Sequence, residues 1–127
     1  MDKPVELAQM KIYVSSTDTF HGTLLYEAIT IEAKNFGILG ATVYKGLIGF
    51  GTSSRHTEKK FWELVEKVPV IIELNDEKER LMKFVNHLRP WFAESKKGHL
   101  ATISPTEIVL QKTGASATTQ KFDDFIP

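Results

Sequence analysis

From Met10 to Ser15 apolar and polar residues alternate, with Met10, Ile12 and Val14 on one side and Lys11, Tyr13 and Ser15 on the other. A period of two with one apolar side predicts a half-buried first strand. Beyond the turn-rich stretch 15–22 the period lengthens. Leu25, Ala28, Ile29, Ala33 and Phe36 fall on one helical stripe. That helix is predicted to start at Thr23 as N-cap and to stop at Gly37, which takes positive φ without steric cost. Ala41 to about Phe50 reads as a second strand, with Gly46 marking a bulge or a close backbone approach. Val68 to Leu74 reads as a third, with Val70, Ile72 and Leu74 facing one way and Pro69 at its start or at an edge. Asn75 or Asp76 then caps a second helix with a buried stripe of Leu81, Phe84, Val85, Leu88 and Phe92, and Pro90 marks or bends its end. A fourth strand is expected within Leu100 to Ile103 and another within Glu107 to Lys112.

The order strand, helix, strand, strand, helix, strand predicts an α+β, ferredoxin-like βαββαβ domain: an antiparallel sheet with two helices on one face. The domain is expected to span residues 10–112, between an N-terminal tail of 1–9 and a C-terminal tail of 113–127. Ala41, Val43, Ile71 and Val109 alternate with core positions, so the second face also reads as partly apolar, and cover by another subunit is the simplest expectation. The segment 52–67 is far longer than an ordinary strand connection, and such connections are mostly functional or disordered. Within it, Phe61 to Val65 is expected to form a short helical turn.

Composition narrows the chemistry. Sixteen basic and sixteen acidic residues cancel over 127 residues, so no global field draws in a nucleic acid or a membrane, and any anion must be held locally. Cysteine is absent, which excludes disulfides, thiolate metal sites and cysteine nucleophiles, and fits a cytoplasmic protein. The N-terminus shows no secretory signal, and no apolar run reaches membrane-spanning length.

Gly49-Phe50-Gly51 leaves two readings open: a nest of backbone amides for an anion, or a mere bend out of the strand. Lys45, Arg55, Lys96, Lys97 and Lys112 stand near predicted strand ends. Singly each reads as a solvated surface charge; converging, they suit a phosphate. His21, His56, His87 and His99 show no HxH or HxxxH pairing, so no metal site is legible. His21 and His99 read as loop hydrogen-bonders and His87 as structural. No serine has a visible base and acid to activate it. An RNA-binding sheet is disfavoured because the third strand lacks an aromatic for base stacking.

His21-Gly22, Leu25 to Ile29, Gly40 to Gly46, Gly49-Phe50-Gly51, Ser54-Arg55, Pro69-Val70 and Glu73 resemble the small, largely uncharacterised PII-like family over residues 10–112. More distantly, Ala41-Thr42-Val43 with Gly49-Phe50-Gly51 is similar to the second strand of the PII nitrogen-signalling proteins, and Lys112-Thr113-Gly114 to the opening of their C-terminal loop. The resemblance implies a homotrimer that binds an adenine nucleotide (AMP, ADP, ATP or cyclic AMP) in clefts between subunits. Thr42 would meet the adenine, Gly49 and Gly51 would offer backbone amides at the base of the 52–67 loop, and Lys45, Phe50 and Arg55 would also bind the nucleotide. Lys96, Lys97 and Gly98 would hold phosphate, and Lys112 and Thr113 would reach in from a neighbouring subunit. There is one residue more between Thr42 and Gly49 than in PII proteins, and fewer glycines at 96–98. Ser15-Ser16 stands where close relatives carry Gly-Glu, Thr23 where they carry Lys, and His56-Thr57 comes one position early. The segment 52–67 holds no tyrosine to modify. These departures leave the nucleotide's identity open.

The expected function is thus that of a non-enzymatic regulatory protein signalling through the 52–67 loop to a target protein, for instance a membrane transporter or channel. The alternatives are a trimeric metal- or small-ligand-binding protein of the same fold, or a weak nucleotide hydrolase.

Overall fold

The computed structural model describes residues 4–50 and 67–114. The chain runs β1 (Leu7–Ser15), β2 (Thr19–Phe20), β3 (Thr23–Leu24), α1 (Leu25–Phe36), β4 (Gly40–Lys45), β5 (Pro69–Glu77), α2 (Lys78–Glu94) and β6 (Leu100–Pro105). Four strands form one sheet in the order β4-β5-β1-β6, each pair antiparallel. With both helices packed on one face, this is the α+β ferredoxin-like arrangement that the element order predicts.

The core follows from the two periodicities. Ala8, Met10, Ile12 and Val14 of β1 and Val70, Ile72 and Leu74 of β5 point to the helix side. They meet Leu25, Ile29 and Ala33 of α1 and Leu81, Phe84, Val85 and Leu88 of α2, all of them buried. Gly37 ends α1 at φ 94°, and its amide bonds back to the helix, as the left-handed cap requires.

The N-cap of the first helix is Leu24, one residue later than predicted. Thr23 pairs with Phe20 instead of capping, because His21 and Gly22 both take positive φ (49° and 83°). Two left-handed residues make the tight turn whose twist suits a hairpin. The Leu25 amide is then satisfied by the Asp18 carbonyl at 2.8 Å.

β4 stops at Lys45, five residues short of Phe50. The last link is Gly46 N–H to the Pro69 carbonyl at 2.7 Å; Pro69 has no amide to extend the ladder. The register of β4 on β5 is unbroken from Gly40 to Lys45, so Gly46 marks a close approach and not a bulge.

β5 runs on through Glu77 where a cap at Asn75 or Asp76 is predicted. The Asp76 side chain is fully buried and accepts from the amides of Leu39 (3.0 Å) and Glu77 (2.6 Å). β1 also begins early, at Leu7, opposite Glu77.

Pro90 lies inside α2, which continues to Glu94. β6 spans Leu100–Pro105, and residues 107–112 form no strand.

The second face differs in detail from the expected one. Ala41 pairs with Leu74 and Val43 with Ile72, and directly paired residues share a face. Both therefore lie on the helix side, and Val109 is outside the sheet and 94% exposed. The helix-free face instead carries Tyr13, Ile71, Tyr44 and Leu100 in neighbouring register, with Lys11 opposite Glu73 beside them. Ile71 is buried even there. The expected turn at 61–65, the bulk of the 52–67 loop, Gly51, Arg55, His56 and most of the C-terminal tail lie outside the described residues.

Candidate functional site

The ends of β4 and β1 and the starts of β5 and β6 share one end of the sheet. Here Gly46 and Gly49 both fold against the ring of Pro69. A Cβ on Gly46 would lie 2.7 Å from Pro69 Cγ, and one on Gly49 3.1 Å from it. Gly46 and Gly49 keep φ outside the left-handed region, and Gly51, the other glycine of the Gly49-Phe50-Gly51 string, lies outside the described residues. What Gly46 and Gly49 supply is room for the chain to wrap around Pro69 before the long segment departs. Its return is clamped as well: Ser16 N–H bonds the Val68 carbonyl at 2.9 Å, and Val68 N–H bonds Ser16 Oγ at 3.2 Å.

Candidate residues around this strand end divide between the faces. Thr42 pairs with Glu73 on the helix-free face, whereas Lys45 pairs with Val70 on the helix side. Its Nζ stands 5.6 Å from the centre of the Tyr26 ring, within reach of a cation–π contact. Phe50 is 82% exposed.

At the same end, on the far edge, α2 gives way to the turn Lys96–Gly98 and then to β6. Three strand spacings separate the β4 and β6 edges, roughly 14 Å. Lys96 and Lys97 are exposed. Lys97 and His99 line an open groove of about 550 Å³ together with Arg89, Phe92 and Thr102.

The turn is braced from beneath. Ser95 Oγ accepts the Lys97 amide at 3.0 Å and meets His99 Nε2 at 3.2 Å. His99 packs on the Phe92 ring, with 5.0 Å between centres, and its Nδ1 faces Asp18 Oδ2 at 3.8 Å. Both side chains are only 6% exposed. Burial lowers the His99 pKa below the ordinary histidine value, and the Asp18 carboxylate opposes that shift. Asp18 in turn accepts the Ser15 amide at 2.9 Å.

This array is absent from the candidate residues read in the sequence. An acid closing the Ser-Ser-Thr-Asp turn was its only local signal. His21 and His99 do bond within or beside loops: His21 Nε2 lies 3.1 Å from Glu94 Oε1, and its ring stacks on Phe20. His87 lies 3.7 Å from Glu32. Among the described residues no three histidine or acidic side chains gather around a point where a metal could sit.

Lys112 and Thr113 fall elsewhere. After β6 the chain crosses the opposite end of the sheet, where Ile108 and Gln111 line a second hollow with Leu7, Asn75 and Asp76. From Pro69 to Asp76 along β5 is roughly 23 Å. One copy therefore brings the Gly46–Gly49 and Lys96–Gly98 turns to the same end and leaves Lys112 at the other. Thr113 Oγ1 and Gln111 Oε1 are buried there without a hydrogen-bond partner among the described residues.

The sequence model of DUF190, described as "Uncharacterized ACR", matches residues 7–108. The chain belongs to the DUF190 family. Among similar proteins is a UPF0166 protein of Aquifex aeolicus, 27% identical over 100 residues, covering 79% of this chain and 90% of that one. A UPF0166 protein of Methanocaldococcus jannaschii is 39% identical over 79 residues, covering 62% and 72%.

PII-like proteins are among the solved structures with the same fold. A putative PII-like signalling protein from Thermus thermophilus superposes with a TM-score of 0.55 at 21% identity, covering 83% of this chain and 91% of that one. CPII from Thiomonas intermedia, a nitrogen regulatory PII-like protein solved with ADP, AMP and bicarbonate, gives 0.56 at 15% identity, covering 84% and 96%. The resemblance to PII-like proteins read in the sequence thus holds for the fold.

Proposed function

We propose that this DUF190 protein is a non-enzymatic regulator that binds an adenine nucleotide between the subunits of a homotrimer and signals through the 52–67 segment. The observation that carries the reading is positional. The glycine turn on Pro69 and the lysine turn at 96–98 share one end of the sheet, on a fold also found in CPII, which was solved with ADP and AMP. Lys112, at the far end of the same chain, completes such a site only from another copy.

A second copy also has a surface to cover. Tyr44 and Leu100 are 41% and 57% exposed on the helix-free face, beside Tyr13 and Ile71. Burying such a row against its like is favourable at about 25 cal/mol per Å².

In this reading the phosphates meet Lys96, Lys97 and the Gly98 backbone. Binding biases the segment between Gly49 and Val68 toward engaging or releasing the partner, a switch set by phosphate contacts. The partner is a target protein in the cytoplasm, for instance a membrane transporter or channel. No helix among the described residues is long and apolar enough to cross a membrane itself.

Isothermal titration with AMP, ADP, ATP and cyclic AMP tests the reading. Binding tighter than about millimolar, worth ~4 kcal/mol, is expected for at least one. Its absence for all four would sink the proposal. A mass measurement in solution checks the trimer.

A further inference from the structure

The contact between His99 and Asp18 joins two turns that sequence keeps far apart. His99 follows directly on the lysine turn and is nine-tenths buried, yet its Nδ1 has no hydrogen-bond partner among the described residues. That nitrogen faces a carboxylate oxygen at 3.8 Å. A bare lone pair pointed at a carboxylate is repulsive, so the neutral ring carries its proton on Nδ1. Nε2 is then an acceptor for the Ser95 hydroxyl, whose oxygen also receives the Lys97 amide. Ser95 closes α2, so the array is a capping relay and not an activated nucleophile.

The pair is incompletely closed. A charge-assisted N–H···O bond measures about 2.8 Å, so an approach of about 1 Å would complete it. Protonating Nε2 makes the ring a cation and supplies the attraction to close that gap.

The charged groups around the ring set the balance. Asp18 comes from the β1–β2 turn, Arg89 of α2 and Lys97 of the lysine turn share its groove, and β6 contributes no charged residue. Burial opposes the protonated form, and the Asp18 carboxylate favours it. An anion arriving at Lys96–Gly98 would tip this balance, because negative charge nearby favours the protonated ring.

We propose that His99 is a proton-linked positioning residue of the Lys96–Gly98 turn. It takes up a proton when the turn captures a nucleotide phosphate, and so draws the turn against Asp18. The inference rests on the reading of that turn as a phosphate site. Asp18 also holds Ser15 N–H, and the adjacent Ser16 clamps Val68. The same closure therefore reaches the point where the long segment re-enters the fold. By linkage, if the anion raises the His99 pKa, protonation raises anion affinity by the same factor.

The test is calorimetric titration of ADP into the full chain at about pH 7.5 and about pH 5.5, for wild type and His99→Gln. The glutamine amide keeps a donor and an acceptor but binds no proton. Wild type is expected to gain affinity relative to the variant as pH falls, by at most about tenfold per pH unit for one linked proton. Comparing the two proteins cancels the titration of ADP itself. Nitrogen-detected NMR of the imidazoles should show the His99 midpoint rising when ADP binds. Asp18→Asn keeps an acceptor for Ser15, removes the charge, and should shrink that rise; it also serves if His99→Gln does not fold.

ADP binding with one pH dependence in both proteins and an unmoved midpoint overturns this inference and leaves the nucleotide reading intact. Wild type that binds no ADP at either pH overturns this inference, while the nucleotide reading falls only if AMP, ATP and cyclic AMP fail to bind as well.

Discussion

At the scale of single residues, two buried acids do work that their sequence neighbourhoods conceal. Asp76 has its side chain fully buried on the core face of β5, where it satisfies the amides of Leu39 and Glu77. Asp76→Ala leaves both amides without that acceptor, at about 1–3 kcal/mol each where burial is complete. A loss of about 2–4 kcal/mol in urea unfolding is expected, with Asp76→Asn losing less because one acceptor remains. A loss below about 0.5 kcal/mol for alanine would show that water replaces the carboxylate. Asp18 has the parallel role beneath the lysine turn, and its partner His99 gives a pH signature. Burial lowers the His99 pKa, so as pH falls the unfolded chain binds this proton first. Stability from this group is present above about pH 6.5 and is lost as pH drops through the folded-state value. His99→Gln should flatten that part of the unfolding profile; an equal decline in both proteins would remove the assignment. The turn holding Lys96 and Lys97 was legible from Lys-Lys-Gly alone. The Asp18–His99 contact was not, because only the antiparallel pairing of β1 with β6 brings those turns together.

At the scale of elements, periodicity located α1, α2 and the four strands of the main sheet among the described residues but missed the β2–β3 hairpin, and chemistry at the ends moved the boundaries. The stripes of α1 and α2 and the alternation of β1 are recovered because each buries one face against the same core. The end of β5 was hidden because Asn75-Asp76-Glu77 are poor strand formers, and Asp76 is tolerated inside because the amides of Leu39 and Glu77 and the Arg80 guanidinium partner its carboxylate. β4 was read too long because Leu47-Ile48 continue an apolar run; Leu47 is in fact 92% exposed. Pro90 is the clearest conflict between local preference and tertiary context. It removes one helical hydrogen bond four residues before the end of α2, which then continues because Trp91 stacks on Phe20, 4.2 Å between centres. Pro90→Ala restores the donor and should raise stability by about 1–2 kcal/mol, below the roughly 3 kcal/mol of an unconstrained helix interior. Thermal unfolding measures it. A lowered midpoint would instead mean that a bend at Pro90 is needed to seat Trp91.

At the scale of the whole molecule, the placement of the cations argues for more than one copy. Lys97 stands at one end of the sheet and Lys112 beyond the other, so a site using both must draw them from different chains. That geometry has a consequence that a single-chain site lacks. Lys97→Glu and Lys112→Glu should each weaken ADP binding severely. When the two variants are refolded together, a site is intact only where a chain with native Lys97 adjoins one with native Lys112. In a cyclic trimer with random mixing, about one site in four meets that condition. Calorimetry on the mixture should then recover roughly a quarter of the wild-type stoichiometry at near wild-type affinity. If both lysines served one chain's own site, mixing would recover nothing. If Lys112 took no part, its charge reversal alone would leave binding unchanged, and the cleft would have to be sought at the Gly46–Gly49 and Lys96–Gly98 end only.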